Sequence, residues 1–313
     1  MNGAFWTLTV SSCLFGAVVG SFLNVVIHRI PRGESIVFPA SRCPECGESI
    51  AWYNNIPVAS WLVLGGRCRH CRARISARYP LVEGLMAIFS VALWFKVAAG
   101  QFDPLPNSYL AVALPYFGHI TVLALLVAIT FVDIDYYIIP HVFTLPGIAV
   151  AAALPWALQA AFGPGFMATL WPPVMPWESL FGLLAGAGIV LVIYYSYYAV
   201  RGYAGIGGGD VTLMGFVGAW LGWPALIFVL FASSLQGTLA AGISHLSGGS
   251  WLRHSSELMD DEETDAEDTG DNGGLAVPFG PFIALAAVEH FFVGAWLPDF
   301  FSMAYLYQFG TYL

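Results

Sequence analysis

YLAVALPYFGHITVLALLVAITFVD, Tyr109–Asp133, is an apolar run that ends in an acid. From Tyr109 to Val132 it holds no Asp, Glu, Lys or Arg, and Asp133 closes it within Phe131-Val132-Asp133-Ile134-Asp135. About 20 apolar residues, at roughly 1.5 Å of helix rise each, cross a hydrocarbon core of about 30 Å. The segment therefore predicts a transmembrane helix that delivers a carboxylate to the membrane face. An ionisable group at the edge of a span is costly and points to function.

The rest of the chain agrees with a membrane setting. Of its 313 residues 58% are hydrophobic and 10% charged, and mean hydropathy is +0.72. Soluble domains carry about 25% charged residues. Further spans are expected at Ala4–Ile27, Leu81–Ala98, Val142–Phe162, Glu178–Val200, Val211–Leu221, Pro224–Leu246 and Leu275–Leu297, with Pro146 and Pro155 as bend points in the fourth. The predicted fold is all-α and polytopic, with about eight transmembrane helices. Its expected parts are a first membrane helix (1–27), a hydrophilic module (28–79) and a membrane-embedded catalytic domain (80–313). The first apolar run has no basic region before it and arginines after it, so it reads as an anchor and not as a cleaved signal.

Charge sets the expected orientation. Eight of the eleven basic residues lie between Arg29 and Arg78, and nine of the twenty acids lie between Glu257 and Asp271. Arginine-rich short loops mark the cytoplasmic side. Counting spans then places His28–Tyr79, Val132–His141, Arg201–Asp210 and the acidic Gly248–Gly274 loop on that side. The Pro/Gly/Trp-rich connector Gly163–Trp177 falls outside. The acidic loop is expected to be solvated.

Four of the five cysteines form two C-x-x-C units, Cys43/Cys46 and Cys68/Cys71. Two such knuckles place four thiolates around one zinc ion, although the gap between them slightly exceeds the usual 15–20 or so residues. A site closed by four thiolates has no open position, so its expected role is structural. His70 is a weaker ligand candidate, and Cys13 is expected to be a packing residue.

Asp133 has a counterpart in Asp210, which follows Gly205-Ile206-Gly207-Gly208-Gly209. Two adjacent carboxylates share a proton, so one can activate water while the other polarises a carbonyl. Glycines beside them admit a backbone closely. Each acid alone has a plainer reading, as a helix cap or an arginine partner. No lysine follows the glycines, so they do not form a phosphate loop. Asp135 is expected at the interface, or as a neighbour that adjusts the charge at Asp133.

Several segments, in order, resemble the bacterial type IV prepilin peptidases. They are Gly20-Ser21-Phe22-Leu23-Asn24-Val25-Val26-Ile27-His28-Arg29-Ile30-Pro31, the cysteine segment through Trp52-Tyr53-Asn54-Asn55-Ile56-Pro57 to Pro80-Leu81-Val82-Glu83, Asp133 with Ile139-Pro140, Gly207-Gly208-Gly209-Asp210, and Pro278-Phe279-Gly280-Pro281. The resemblance implies a membrane aspartyl protease of the GxGD type with Asp133 and Asp210 as catalytic residues. Its implied substrates are prepilins or type II secretion pseudopilins, which would lose short basic leaders at the cytoplasmic face of the bacterial inner membrane. It also implies N-methylation of the new amino terminus with S-adenosylmethionine. Glu34, Asn24 and Arg29 lie where that function is usually placed, and no binding residue is assigned. His141 and Thr212 depart from the family pattern, which has an acid and a lysine there. Membrane lipid and precursor substrates are the expected partners, nucleic acid is not, and oligomeric state stays open. A non-catalytic assembly factor using the zinc loop for docking and an ion transporter are the competing readings. Transporter sites lie at the midplane, whereas these acids lie at span ends.

Overall fold

The computed structural model describes residues 3–98, 109–167, 169–202, 207–246 and 278–296. Among them the chain is helical, with two isolated β-bridges in the cysteine segment. Six helices are long and apolar enough to cross a membrane, which makes this a multi-pass membrane protein. They are α1 (Gly3–Arg29), α3 (Arg78–Ala98), α4 (Tyr109–Tyr136), α5 (His141–Phe162), α7 (Pro176–Arg201) and α9 (Ala225–Leu246). Two apolar helices are shorter, α8 (Gly208–Leu221) and α10 (Gly280–Val293). Small helices α2 (Ala59–Val63) and α6 (Pro164–Met167) lie in the connections. The eight predicted spans thus correspond to six long helices and two short ones. The acidic loop and the carboxy-terminal tail lie outside the described residues.

α8 explains why a short helix suffices. Every residue from Leu213 to Leu221 is buried, so α8 is enclosed by other helices and need not match the bilayer. In lipid, helices associate through close packing and not through burial from water. Two glycine pairs at four-residue spacing provide that packing. A Cβ on Gly182 or Gly186 of α7 would lie 2.1 or 2.4 Å from a backbone oxygen of α8, and one on Gly16 of α1 would lie 2.4 Å from the Met86 carbonyl of α3. Only hydrogen fits at these crossings.

The polar contacts sort into two ends. At one end Asn24 donates to the Tyr79 carbonyl (3.1 Å), tying the end of α1 to the start of α3. Arg78 pairs with Asp135, tying α3 to the end of α4. Toward the other end Trp220 donates to His119 Nδ1 (3.0 Å), and the Lys96 ammonium lies 4.8 Å from the Phe291 ring centre. These polar groups meet partners inside the bundle, as apolar surroundings require. Cys13, expected as a packing residue, is exposed on α1 beside Ala87 and Ile88 and forms outer surface.

Candidate active site and metal centre

Asp133 lies on the last turn of α4 and is 4% exposed. Its Oδ2 accepts the Gly280 N–H at 3.0 Å. Gly280 opens α10, where backbone N–H groups lack partners within the helix and the helix dipole favours an anion. A Cβ on Gly280 would lie 2.6 Å from that oxygen, so glycine is required for the contact. The Pro278-Phe279-Gly280-Pro281 segment thus supplies the donor for Asp133.

Asp210 occupies the first turn of α8, and its Oδ2 accepts the Gly207 N–H at 3.2 Å. It caps the helix on which it sits. The two carboxyl sites meet across Ile139. The chain leaves α4 through Tyr137, at φ 55°, and reaches Pro140, the N-cap of α5. Ile139 fills the space between. Its Cβ would be 2.7 Å from a Cβ on Gly209, and its Cδ1 3.1 Å from one on Gly280. Asp133 and Asp210 therefore stand at the same end of the bundle, on either side of Ile139. Each carboxyl is bound to a backbone N–H, and no hydrogen bond joins them. Gly208 has open space where a side chain would stand, which leaves the mouth beside Asp210 clear.

Arg78 does not pair with Asp133: it pairs with Asp135, donates to the Phe131 carbonyl (3.3 Å) and covers the Phe131 ring (4.9 Å). At one departure from the family pattern, Thr212 Oγ1 donates to the Gly209 carbonyl (2.9 Å) and turns inward on its own helix. At the other, His141 is exposed at the start of α5. Asn24 and Arg29 both bind backbone, Arg29 through the Ser35 and Pro39 carbonyls (2.9 and 2.8 Å).

The four cysteines form a second centre on the segment between α1 and α3. Their sulfur atoms all lie within 4.8 Å of one another, and Cys43 and Cys71 are 3.8 Å apart. Tetrahedral zinc with bonds of about 2.3 Å needs sulfur–sulfur edges of about 3.8 Å. The donor set fits such an ion. His70 is not among the grouped ligands. The knuckles repeat one another. Gly47 and Arg72 each follow the second cysteine with positive φ and donate to the first cysteine's carbonyl, and bridges Arg42–Ser49 and Arg67–Arg74 close the two turns. The backbone N–H of Cys71, then that of His70, lower the Cys68 thiol to about 6, which favours the thiolate a metal binds.

Residues 14–97 match the model of the bacterial peptidase A24 N-terminal domain, and residues 120–242 match that of the type IV leader peptidase family. A Myxococcus xanthus protein named prepilin leader peptidase/N-methyltransferase is 31% identical over 327 aligned positions, covering 91% of this chain and 90% of the relative. The chain belongs to the type IV leader peptidase family. A relative of the same name from Aeromonas hydrophila is 33% identical over 310 positions, with 91% and 90% covered. One from Klebsiella pneumoniae is 35% identical over 228, with 71% and 88% covered. No solved structure matches the chain significantly. Within this leader peptidase the structure brings Asp133 and Asp210 to one place and the four cysteines to another. Sequence reasoning gave no role to Gly280 or Ile139. The Pro278-Phe279-Gly280-Pro281 and Ile139-Pro140 segments were the available signals, but Gly280 meets Asp133, and Ile139 meets Gly209 and Gly280, across long stretches of sequence.

Proposed function

We propose that this chain is an aspartic endopeptidase that removes the leader from prepilins or type II secretion pseudopilins and N-methylates the new amino terminus. The carrying observation is that Asp133 and Asp210, on separate helices, stand at one end of the bundle around Ile139. Family membership and the names of the relatives support the substrate class and both activities.

In this reading the pair holds one proton between two carboxyls. The ionised member takes a proton from water, whose oxygen attacks the scissile carbonyl carbon. The protonated member donates to the carbonyl oxygen and stabilises the tetrahedral intermediate. Collapse breaks the C–N bond, and the leaving amine takes the proton held by the pair. Gly280 fixes Asp133 through Oδ2 and leaves Oδ1 for this chemistry. The open side of Gly208 lets an extended peptide reach Asp210. A site at the end of the bundle draws water from the adjoining aqueous phase. We place that phase in the cytoplasm, with the protein in the bacterial inner membrane, because the arginine-rich segment shares that end.

We assign metal holding to residues 28–79 and proteolysis to 80–313, with 1–27 as the first membrane helix packed along α3. The metal is zinc, held by Cys43, Cys46, Cys68 and Cys71, and it stabilises the fold of the module. The methyl donor is S-adenosylmethionine. Asn24 and Arg29 are spent on backbone, so neither is assigned to it. Co-expression with a candidate prepilin, followed by mass spectrometry of the product amino terminus, tests both activities. The expected product lacks its leader and carries one added methyl group. Full-length, unmodified precursor would reject the reading.

A further inference from the structure

We infer that the segment Trp52–Val63 seats the four-cysteine module in the headgroup layer of the adjoining leaflet, with phospholipid as the occupant of its exposed apolar face. The inference goes beyond the proposed activities and does not depend on them.

The extra length between the two cysteine knuckles is its starting point. From Ala51 to Gly66 the chain has no charged residue, while the knuckles on either side carry Arg42, Glu45, Arg67, Arg69 and Arg72 among others. This uncharged insert is folded, not slack. A short 3-10 turn, Trp52–Asn54, is tied to α2 through Ser60, whose Oγ donates to the Tyr53 carbonyl (3.1 Å) and accepts the Ile56 N–H (3.0 Å). On its inner side Trp61 donates to the Ile75 carbonyl (3.1 Å), which joins the insert to the second knuckle.

Its depth is fixed by one contact. The Val58 N–H, at the start of α2, donates to Glu83 Oε2 at 2.7 Å. Glu83 is five residues into α3, about 7 Å along the helix from its membrane-face end. It is buried, and its backbone meets α1 at Gly20. Val58 therefore sits below the end of the span, in the α1–α3 groove. Val58 holds φ 60° there, a conformation unfavourable for a β-branched residue and kept only where surroundings impose it.

Outward from this latch the insert is apolar. Trp52 is 81% exposed, Leu62 64% and Val63 86%. Such exposure next to water is unfavourable, whereas the interfacial layer of a bilayer accepts Trp and aliphatic groups together. Phe22 of α1 and Leu81 of α3, each two residues from the Gly20–Glu83 crossing that holds Val58, are exposed as well. Of the flanking arginines, Arg69 lies over the Tyr53 ring of the insert (5.5 Å), and basic residues beside an interfacial segment attract lipid phosphates. The Val58–Glu83 contact and the exposed apolar residues beside that crossing on α1 and α3 select lipid over a soluble partner.

The test uses the purified full-length chain in nanodiscs of phosphatidylethanolamine and phosphatidylglycerol. These include a phospholipid with a diazirine beside its glycerol backbone. After photolysis, peptide mass spectrometry should find lipid adducts on Trp52–Val63 as well as near Leu81. The double variant L62E/V63E should lose most adducts on the insert and keep those near Leu81. Metal content is measured in parallel, and if the variant loses its metal the wild-type map alone decides. Labelling near Leu81 with none on the insert would overturn the inference. So would loss of the insert's adducts when a single-span prepilin is added, because the face would then belong to a protein partner.

Discussion

The cysteine module and the helical bundle are stabilised by opposite means. The module places four sulfurs within 4.8 Å of one another, while most of its large apolar side chains lie on the outside. The bundle encloses α8 from Leu213 to Leu221 and lets helices cross at glycines where a Cβ would be 2.1–2.4 Å from backbone. One region offers a four-thiolate metal site and local turns, the other long-range shape. The two are joined by few polar contacts, chiefly Arg78–Asp135 and Val58–Glu83. Disturbing one should leave much of the other intact.

The largest expected effect falls on the bundle's chemistry. Asp133→Asn or Asp210→Asn should lower leader cleavage by at least about 10²-fold, the usual range for losing an acid–base group. The helical circular dichroism signal and the metal content should not change. Gly280→Ala comes next. Its methyl would push against Asp133 Oδ2, and a displacement of about 1 Å near reacting groups can cost about 10²-fold. Cleavage kinetics should show the loss in kcat, with little change in thermal stability.

Metal removal sharpens the contrast from the other side. A strong chelator, or Cys43→Ser, should open residues 28–77 to limited proteolysis while the bundle stays helical. Elemental analysis should read one zinc per chain before treatment. Gly186→Val should do the reverse. It forces α7 from α8 and should destabilise the bundle by about 1–3 kcal/mol, measured by unfolding in bilayers, with zinc retained. The smallest effect is expected at the seam. Arg78 and Asp135 are 28% and 33% exposed, so a double-mutant cycle should give a coupling under about 1 kcal/mol.

The same contrast explains what the sequence revealed. The cysteine spacing is local, and the grouping of the four sulfurs could be read from it. Apolar runs located the long helices to within a few residues. The ends of the helices that carry Asp133 and Asp210 were harder to read. α4 continues past Asp133 to Tyr136, because the buried acid is satisfied by the Gly280 N–H from a helix far along the chain. α8 begins at Gly208 and takes the glycines into its first turn, despite their poor helix propensity. Contact with Ile139 and the cap from Asp210 offset that cost. No hydropathy window or propensity scale contains those tertiary partners. The long gap between knuckles was visible, but the contact it makes, from Val58 to Glu83 of α3, was not.

The central claim is that Asp133 and Asp210 act as one catalytic unit. Its direct test is the cleavage rate of a purified prepilin by wild type, both single asparagine variants and the double variant in the same bilayers. Residues acting together give losses that do not add, so each single variant should lose as much activity as the double. Losses that multiply, or normal cleavage by either single variant, would contradict the account.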